Sequence, residues 1–145
     1  DHGIGVEAAV LLGTDNQDED YIKRLVDFLL EINVDMAEFS ILTPFPHTPI
    51  TALFERDGRI LHRDWKRYTT AEVCFRPKHM SPDKLQEMYH YAWRAFFQDM
   101  PQSLRMACLF QKVIRKELAD GTYESLKLSP DRRTSVPVKG EVRGP

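Results

Sequence analysis

Two short apolar runs and four helical patterns order this chain. The run at residues 6–12, "VEAAVLL", is apolar at both parities and stops at Gly13, which predicts a strand covered on both faces. An acidic, turn-rich stretch follows, and then Ile22, Leu25, Val26, Leu29 and Ile32 recur at helical spacing. Asp18, Glu19 and Asp20 fall in that helix's first turn, where negative charge meets its positive end. "NVDM" breaks the pattern, and "AEFSIL", residues 37–42, is the second strand candidate. Strand, helix and strand with short links are the crossover unit of parallel α/β proteins.

The next residues, "TPFPHTPI", stiffen the backbone with Pro44, Pro46 and Pro49. Thr48 is a candidate N-cap, Pro49 a first helical residue, and Gly58 the stop after "ALFERD". A short strand is expected at "EVCF", residues 72–75. Ser81, Pro82 and Asp83 open a helix whose Leu85, Met88, Tyr89, Ala92, Trp93 and Phe96 share one stripe. Pro101 ends it and starts another helix, from about residue 102 to 119. Residues 122–145 lack an apolar period and read as a disordered tail. Two parallel strands do not bury both faces of a sheet alone, so neighbouring strands are expected from elsewhere.

Composition narrows the options. A chain of 145 residues with 42% apolar and 29% charged residues is ordinary for a soluble domain, and no apolar run approaches a membrane span. The net charge of −2 offers no general basic field for nucleic acid. Cys74 and Cys108 suffice for neither a disulfide framework nor a metal cluster, and the five histidines have no ligand spacing. No basic-then-apolar leader opens the sequence, so a cytoplasmic location is expected.

Several residues carry candidate chemistry beside plainer readings. Asp15, Asp18, Glu19 and Asp20 read as a solvated loop and helix start before they read as a cation site. His47 has no paired carboxylate in sequence and reads as a rim residue that can face a substrate. His62, Asp64 and Trp65 are expected to pack and cap, and Cys74 to be inert. Gly13 is either a turn or a point of close ligand approach. The glycine loop lacks the glycine run and lysine of a phosphate-binding P-loop.

From Gly3 to Met100 the order of parts resembles a known family. Strand, glycine, acidic loop and helix are followed by "FSILTPFP", "TPI", "GRI", "DW" and "FRPKHMSP". This looks like the C-terminal part of a radical S-adenosylmethionine (SAM) enzyme of the cobalamin-binding branch, which includes magnesium-protoporphyrin ester cyclases and hopanoid methylases. The resemblance implies an α/β fold: the last two strand–helix units of a partial (β/α)6 TIM-like barrel, then a mainly helical C-terminal region. It implies divisions at 1–58 for the barrel end, 59–121 for the helical extension and 122–145 for the tail. The parent enzyme would use SAM, a 4Fe–4S (iron–sulfur) cluster and, in some members, cobalamin. Leu12, Gly13, Thr14, Leu42, Thr43 and Pro44 would border the cofactor, with His47 on the substrate side.

Two departures qualify that picture. The chain has no CxxxCxxC, so it would complete the SAM and substrate pocket of an Fe–S oxidoreductase or methyltransferase without being catalytic or binding SAM alone. Where the family often has Pro-x-Pro-Gly-Thr-Pro, this chain has His47 in place of the glycine. The expected partner is the N-terminal half of the enzyme or a complementary subunit, with a small-molecule substrate. The alternative is a non-catalytic protein-interaction domain that uses the open strand edge and helical stripe.

Overall fold

The computed structural model describes residues 4–120. The first strand, β1 (Glu7–Leu12), and the second, β2 (Met36–Ile41), form a two-stranded parallel sheet in the register Glu7 to Met36 through Leu12 to Ile41. Helix α1 (Glu19–Glu31) crosses between them. Helix α2 (Pro49–Arg56), a 3-10 turn at Trp65–Arg67, α3 (Pro82–Gln98) and α4 (Met100–Ala119) follow. The chain divides into two units, 1–107 and 108–145. In the second, the described residues carry the outer part of α4, whose Phe110, Ile114 and Leu118 are exposed.

Local chemistry sets the helix ends. Asp18 caps α1 by accepting from the Tyr21 amide, and Ser81 caps α3 by accepting from the Lys84 amide. Helix α1 ends in a Schellman turn: Asn33 adopts φ 58°, Val34 N–H bonds Leu29 C=O, and Asn33 N–H bonds Leu30 C=O. Helix α2 ends likewise at Gly58, with Arg59 N–H on Phe54 C=O and Gly58 N–H on Glu55 C=O. Asp99 accepts from the Gln102 amide at 2.8 Å and so opens α4 just before Pro101. Thr48 occupies the N-cap position of α2 but makes no side-chain cap, because its hydroxyl donates back to Phe45 C=O.

The core lies on one face of the sheet. Leu12, Ala37, Phe39 and Ile41 meet Ile22, Val26 and Leu29 of α1 and Leu85, Met88, Ala92 and Phe96 of α3. Phe39 meets Trp93 and Phe96 edge to face. The other face carries Glu7, Ala9 and Leu11 of β1 with Met36 and Glu38 of β2, all exposed.

Three expectations are corrected here. The strands are not covered on both faces: their burial alternates, and the acidic Glu7 and Glu38 stand on the open side. The partial TIM-like barrel is not found either. The described residues hold two parallel strands and four helices, a small α/β unit. Its physical basis is a sheet that buries one face under α1 and α3 without closing around an interior. Finally, "EVCF" yields a single antiparallel bridge, Ile60 to Phe75, held by Arg76 N–H on Arg59 C=O and Leu61 N–H on Cys74 C=O, and no strand. The expected disordered tail lies outside the described residues.

Candidate functional site

The two loops at the carboxyl ends of β1 and β2 hold every residue singled out for ligand contact. After β1, Leu12 and Gly13 are buried and Thr14 is half-buried. Gly13 has φ 93°, and a Cβ there would lie 2.7 Å from Leu85 Cδ2 and 3.0 Å from Phe75 Cζ. The left-handed φ and the packing against Leu85 and Phe75 together favour glycine. The loop's backbone is tied by Gln17, 6% exposed, whose Oε1 accepts from the Gly13 amide at 2.7 Å and the Thr14 amide at 3.2 Å. Gln17 Nε2 donates to Leu11 C=O. Both loop amides are thus spent within the protein, which removes the donors a phosphate would need.

Asp15 closes the same loop electrostatically. Its carboxylate lies 2.8 Å from Arg59 Nη2 and 2.6 Å from Lys78 Nζ. The Arg59 guanidinium, aided by Lys78, holds the Asp15 carboxyl below the usual carboxylate range despite some opposing desolvation. Arg59 is itself buried: Nε donates to Arg76 C=O at 2.7 Å, and its guanidinium sits 4.1 Å from the centre of the Phe54 ring. Position 59 directly follows the Gly58 turn, where a Schellman motif usually places an apolar side chain against the residue that Phe54 represents. Here the arginine stem and cation make that contact.

After β2 the loop is more open. Thr43 and Pro44 are buried and Leu42 is half-buried. Thr43 Oγ1 donates to Ile41 C=O. His47 is exposed and adopts φ 63°, a left-handed conformation that a glycine would take without strain. Past this loop a cleft of about 570 Å³ opens between α2 and the 3-10 turn, lined among others by Pro46, His47, Pro49, Glu55, Arg63 and Trp65. Arg63 Nη2 donates to Glu55 Oε1 at 2.8 Å across it.

The structure separates these residues into two groups. Leu12, Gly13, Thr14, Leu42, Thr43 and Pro44 gather at the strand ends, and His47 stands at the cleft. Of the other histidines, His62 accepts from the Asp64 amide and meets Tyr68 edge to face, while Asp64 caps the 3-10 turn through the Lys66 amide. Burial pushes the Cys74 thiol up, so it stays protonated and unreactive. Sequence reasoning missed Gln17 and Arg59 as the residues that lock the first loop. The arginine just after a helix-stop glycine was the available signal for one; Gln17 had none. Among the described residues, no three His, Cys, Asp or Glu side chains gather as a metal site, and no helix is long and apolar enough to cross a membrane.

No family model matches the chain. It is similar to the bacteriochlorophyllide d C-12(1)-methyltransferase of Chlorobaculum tepidum, 33% identical over 88 residues, covering 61% of this chain and 19% of that protein. It is also similar to an uncharacterized methyltransferase of Pyrococcus horikoshii, 21% identical over 95 residues, covering 66% of this chain and 21% of that protein. The chain thus spans about a fifth of the length of the curated relatives it matches.

These relatives correct the resemblance drawn from the motifs. Both are methyltransferases by name, and neither name carries an iron–sulfur cluster or cobalamin. The assignment to the radical SAM, cobalamin-binding branch, with its Fe–S oxidoreductase chemistry, is therefore withdrawn. The motif order has a plainer physical origin in part: the glycine at the end of β1 answers to the packing of Leu85 and Phe75, and "GRI" to the helix stop and the buried Arg59.

Proposed function

We propose that this chain is part of a methyltransferase and that its two strand-end loops border the sites for methyl donor and acceptor. The observation that supports the reading is the likeness of the same stretch to two methyltransferases. The donor that fits is S-adenosylmethionine, which supplies a methyl group carried on a sulfonium. Leu12 and Pro44 are buried at the strand ends and back the half-buried Leu42, which offers an apolar wall at the position where parallel α/β proteins receive ligands. Gly13 and Thr14 have no amide to spare, so this wall suits the nucleoside part of the donor. Its charged amino-acid part needs groups beyond these six residues. His47 faces the acceptor side.

Isothermal titration of S-adenosylmethionine into the full-length protein tests this, with labelled methyl transfer as the second readout. Leu42→Asp places a carboxylate in the half-buried wall and is expected to weaken donor binding about 10-fold or more, since burying an unpaired charge is costly. A full-length protein that neither binds the donor nor transfers its methyl group would overturn the reading.

A second reading, a protein-interaction domain, is favoured by the edge of β2. The Met36 amide bonds Val6 C=O just before β1 and the Leu42 amide bonds Leu12 C=O, whereas the Ile41 amide points the other way and bonds Thr70 C=O. By strand alternation, the backbone groups of Ala37 and Phe39 face that outer edge, beside a groove walled by Tyr89, Trp93 and Phe97. Such an edge can accept a strand from another polypeptide. Slow hydrogen exchange at Ala37 and Phe39 only when a separate partner polypeptide is added would support it; protection already complete in this chain alone would sink it.

A further inference from the structure

We propose that the outer edge of β2 binds a short extended peptide of alternating apolar and basic residues, a proposal that rests on the interaction reading of this edge and names its partner's chemistry. The edge is closed at both ends and open between them. Just before β2, Gln102 Nε2 donates to Asp35 C=O at 2.6 Å. At the far end the Ile41 amide donates to Thr70 C=O at 2.6 Å, and Ile41 C=O accepts from Thr43 Oγ1. Between these bonds the amide and carbonyl of Ala37 and of Phe39 face outward, and among the described strands β2 pairs with β1 alone. Thr70 accounts for the opening. It holds φ 63°, rare in a β-branched residue, and the chain after it is tied to α3: Gln86 Nε2 donates to Ala71 C=O, and Gln86 Oε1 accepts from the Val73 amide. That segment gives β2 one bond and no second. The backbone of Ala37 and Phe39 is left as a window for another chain.

The surroundings of the window select the side chains. A groove of about 390 Å³ lies along it. In an added strand, residues opposite Ala37 and Phe39 point to the same face as these two buried side chains. There they meet Tyr89, Trp93 and Phe97 of α3, which line the groove. That wall is already packed: Trp93 stacks on Phe97 at 5.3 Å between centroids and meets Phe39 edge to face at 5.7 Å. Residues of the other parity fall beside Glu38, on the open face of the sheet. Glu38 and Glu7 are exposed at the groove, and neither has an ion partner among the described residues. Unpaired carboxylates on one face and an aromatic wall on the other favour Lys or Arg alternating with aliphatic residues. The same acids disfavour a second copy of this edge, which would bring like charges together.

The test is binding of the capped peptide Val-Lys-Val-Lys-Val to the full chain at low salt, read by the anisotropy of an attached fluorescein. It is expected to bind at least about 5-fold tighter than Val-Glu-Val-Glu-Val. Glu38→Gln is expected to narrow that gap, and Glu7→Lys with Glu38→Lys to reverse it. Saturating peptide is expected to slow hydrogen exchange at Ala37 and Phe39 and to leave Ile41, already bonded, unchanged. N-methylation of the valines and N-methylation of the lysines remove opposite rows of strand amides, so one of the two is expected to abolish binding and the other to leave it. No binding, or a charge preference that is absent or unmoved by the Glu38 variants, would overturn the proposal. A separate polypeptide that protects Ala37 and Phe39 while the peptides fail to bind sinks the alternating chemistry and leaves the interaction reading standing. Complete protection of both amides in this chain alone sinks both.

Discussion

The two loops that leave the two strands occupy equivalent places in the fold and are built on opposite terms. The loop after β1 is sealed by its own side chains. Gln17 takes its amides, Leu85 and Phe75 fill the space beside Gly13, and Asp15 locks to Arg59 and Lys78. The loop after β2 is stiffened by prolines instead, and it leaves a cleft beside it with an indole, an imidazole and a guanidinium. Proline restricts a backbone without occupying the space in front of it, whereas hydrogen bonds and ion pairs need partners that fill it. The first strategy leaves open space beside the loop; the second spends the loop's own amides on rigidity, so a ligand beside it meets side chains and not free N–H groups.

The comparison breaks most sharply at Gly13. Gly13→Ala must accept a left-handed φ and a Cβ 2.7 Å from Leu85, so urea denaturation is expected to show a loss of about 2–4 kcal/mol. An unchanged midpoint would mean that the loop is not sealed by packing. Gln17→Ala leaves buried loop amides without an acceptor and is expected to lose about 2 kcal/mol. Hydrogen exchange should quicken first at Gly13 and Thr14.

A third, smaller effect is electrostatic. The Asp15 carboxyl is held below its ordinary value of 3.8 by Arg59 and Lys78, so the unfolded chain takes up its proton more readily than the folded one. The stabilisation is fully present above the ordinary value and is lost as pH falls through the lowered one. Denaturation of the native chain and Asp15→Asn from pH 7 to 3 should show a stability difference that closes at the acid end. A difference that widened on acidification would contradict the ion lock. The least effect is expected at the open loop: His47→Gly relieves the left-handed strain at φ 63° but adds chain entropy, for a net change within about 1 kcal/mol. A larger loss would show that the imidazole, too, is held by the fold.

Much of the architecture was legible in the residues because it follows from local rules. The predicted strands and helices fall within a few residues of β1, α1, β2, α2, α3 and α4, since periodicity, Ser81, Asp18, Gly58 and the prolines act over one or two turns. Thr48 takes the N-cap position expected of it, but its hydroxyl donates to Phe45 C=O in the proline loop and makes no cap bond. The strands were misread as covered on both faces because Ala9 and Leu11 are apolar yet stand on the open face. The cleft was foreshadowed only by His47. Trp65 and Arg63 come to it through the turn after Gly58, a path that no spacing in the sequence encodes.

The sequence by itself determined, to within a few residues, where the two strands and four helices start and stop and which stripe of α1 and α3 is apolar, because those choices are made by neighbouring residues. Only the tertiary structure decided which polar side chains are buried. Gln102 reaches Asp35 C=O across 67 residues, and Arg59 reaches Arg76 C=O across 17. A glutamine or an arginine is buried only when a distant partner removes the cost of leaving water, and that partner is known only once the chain has folded.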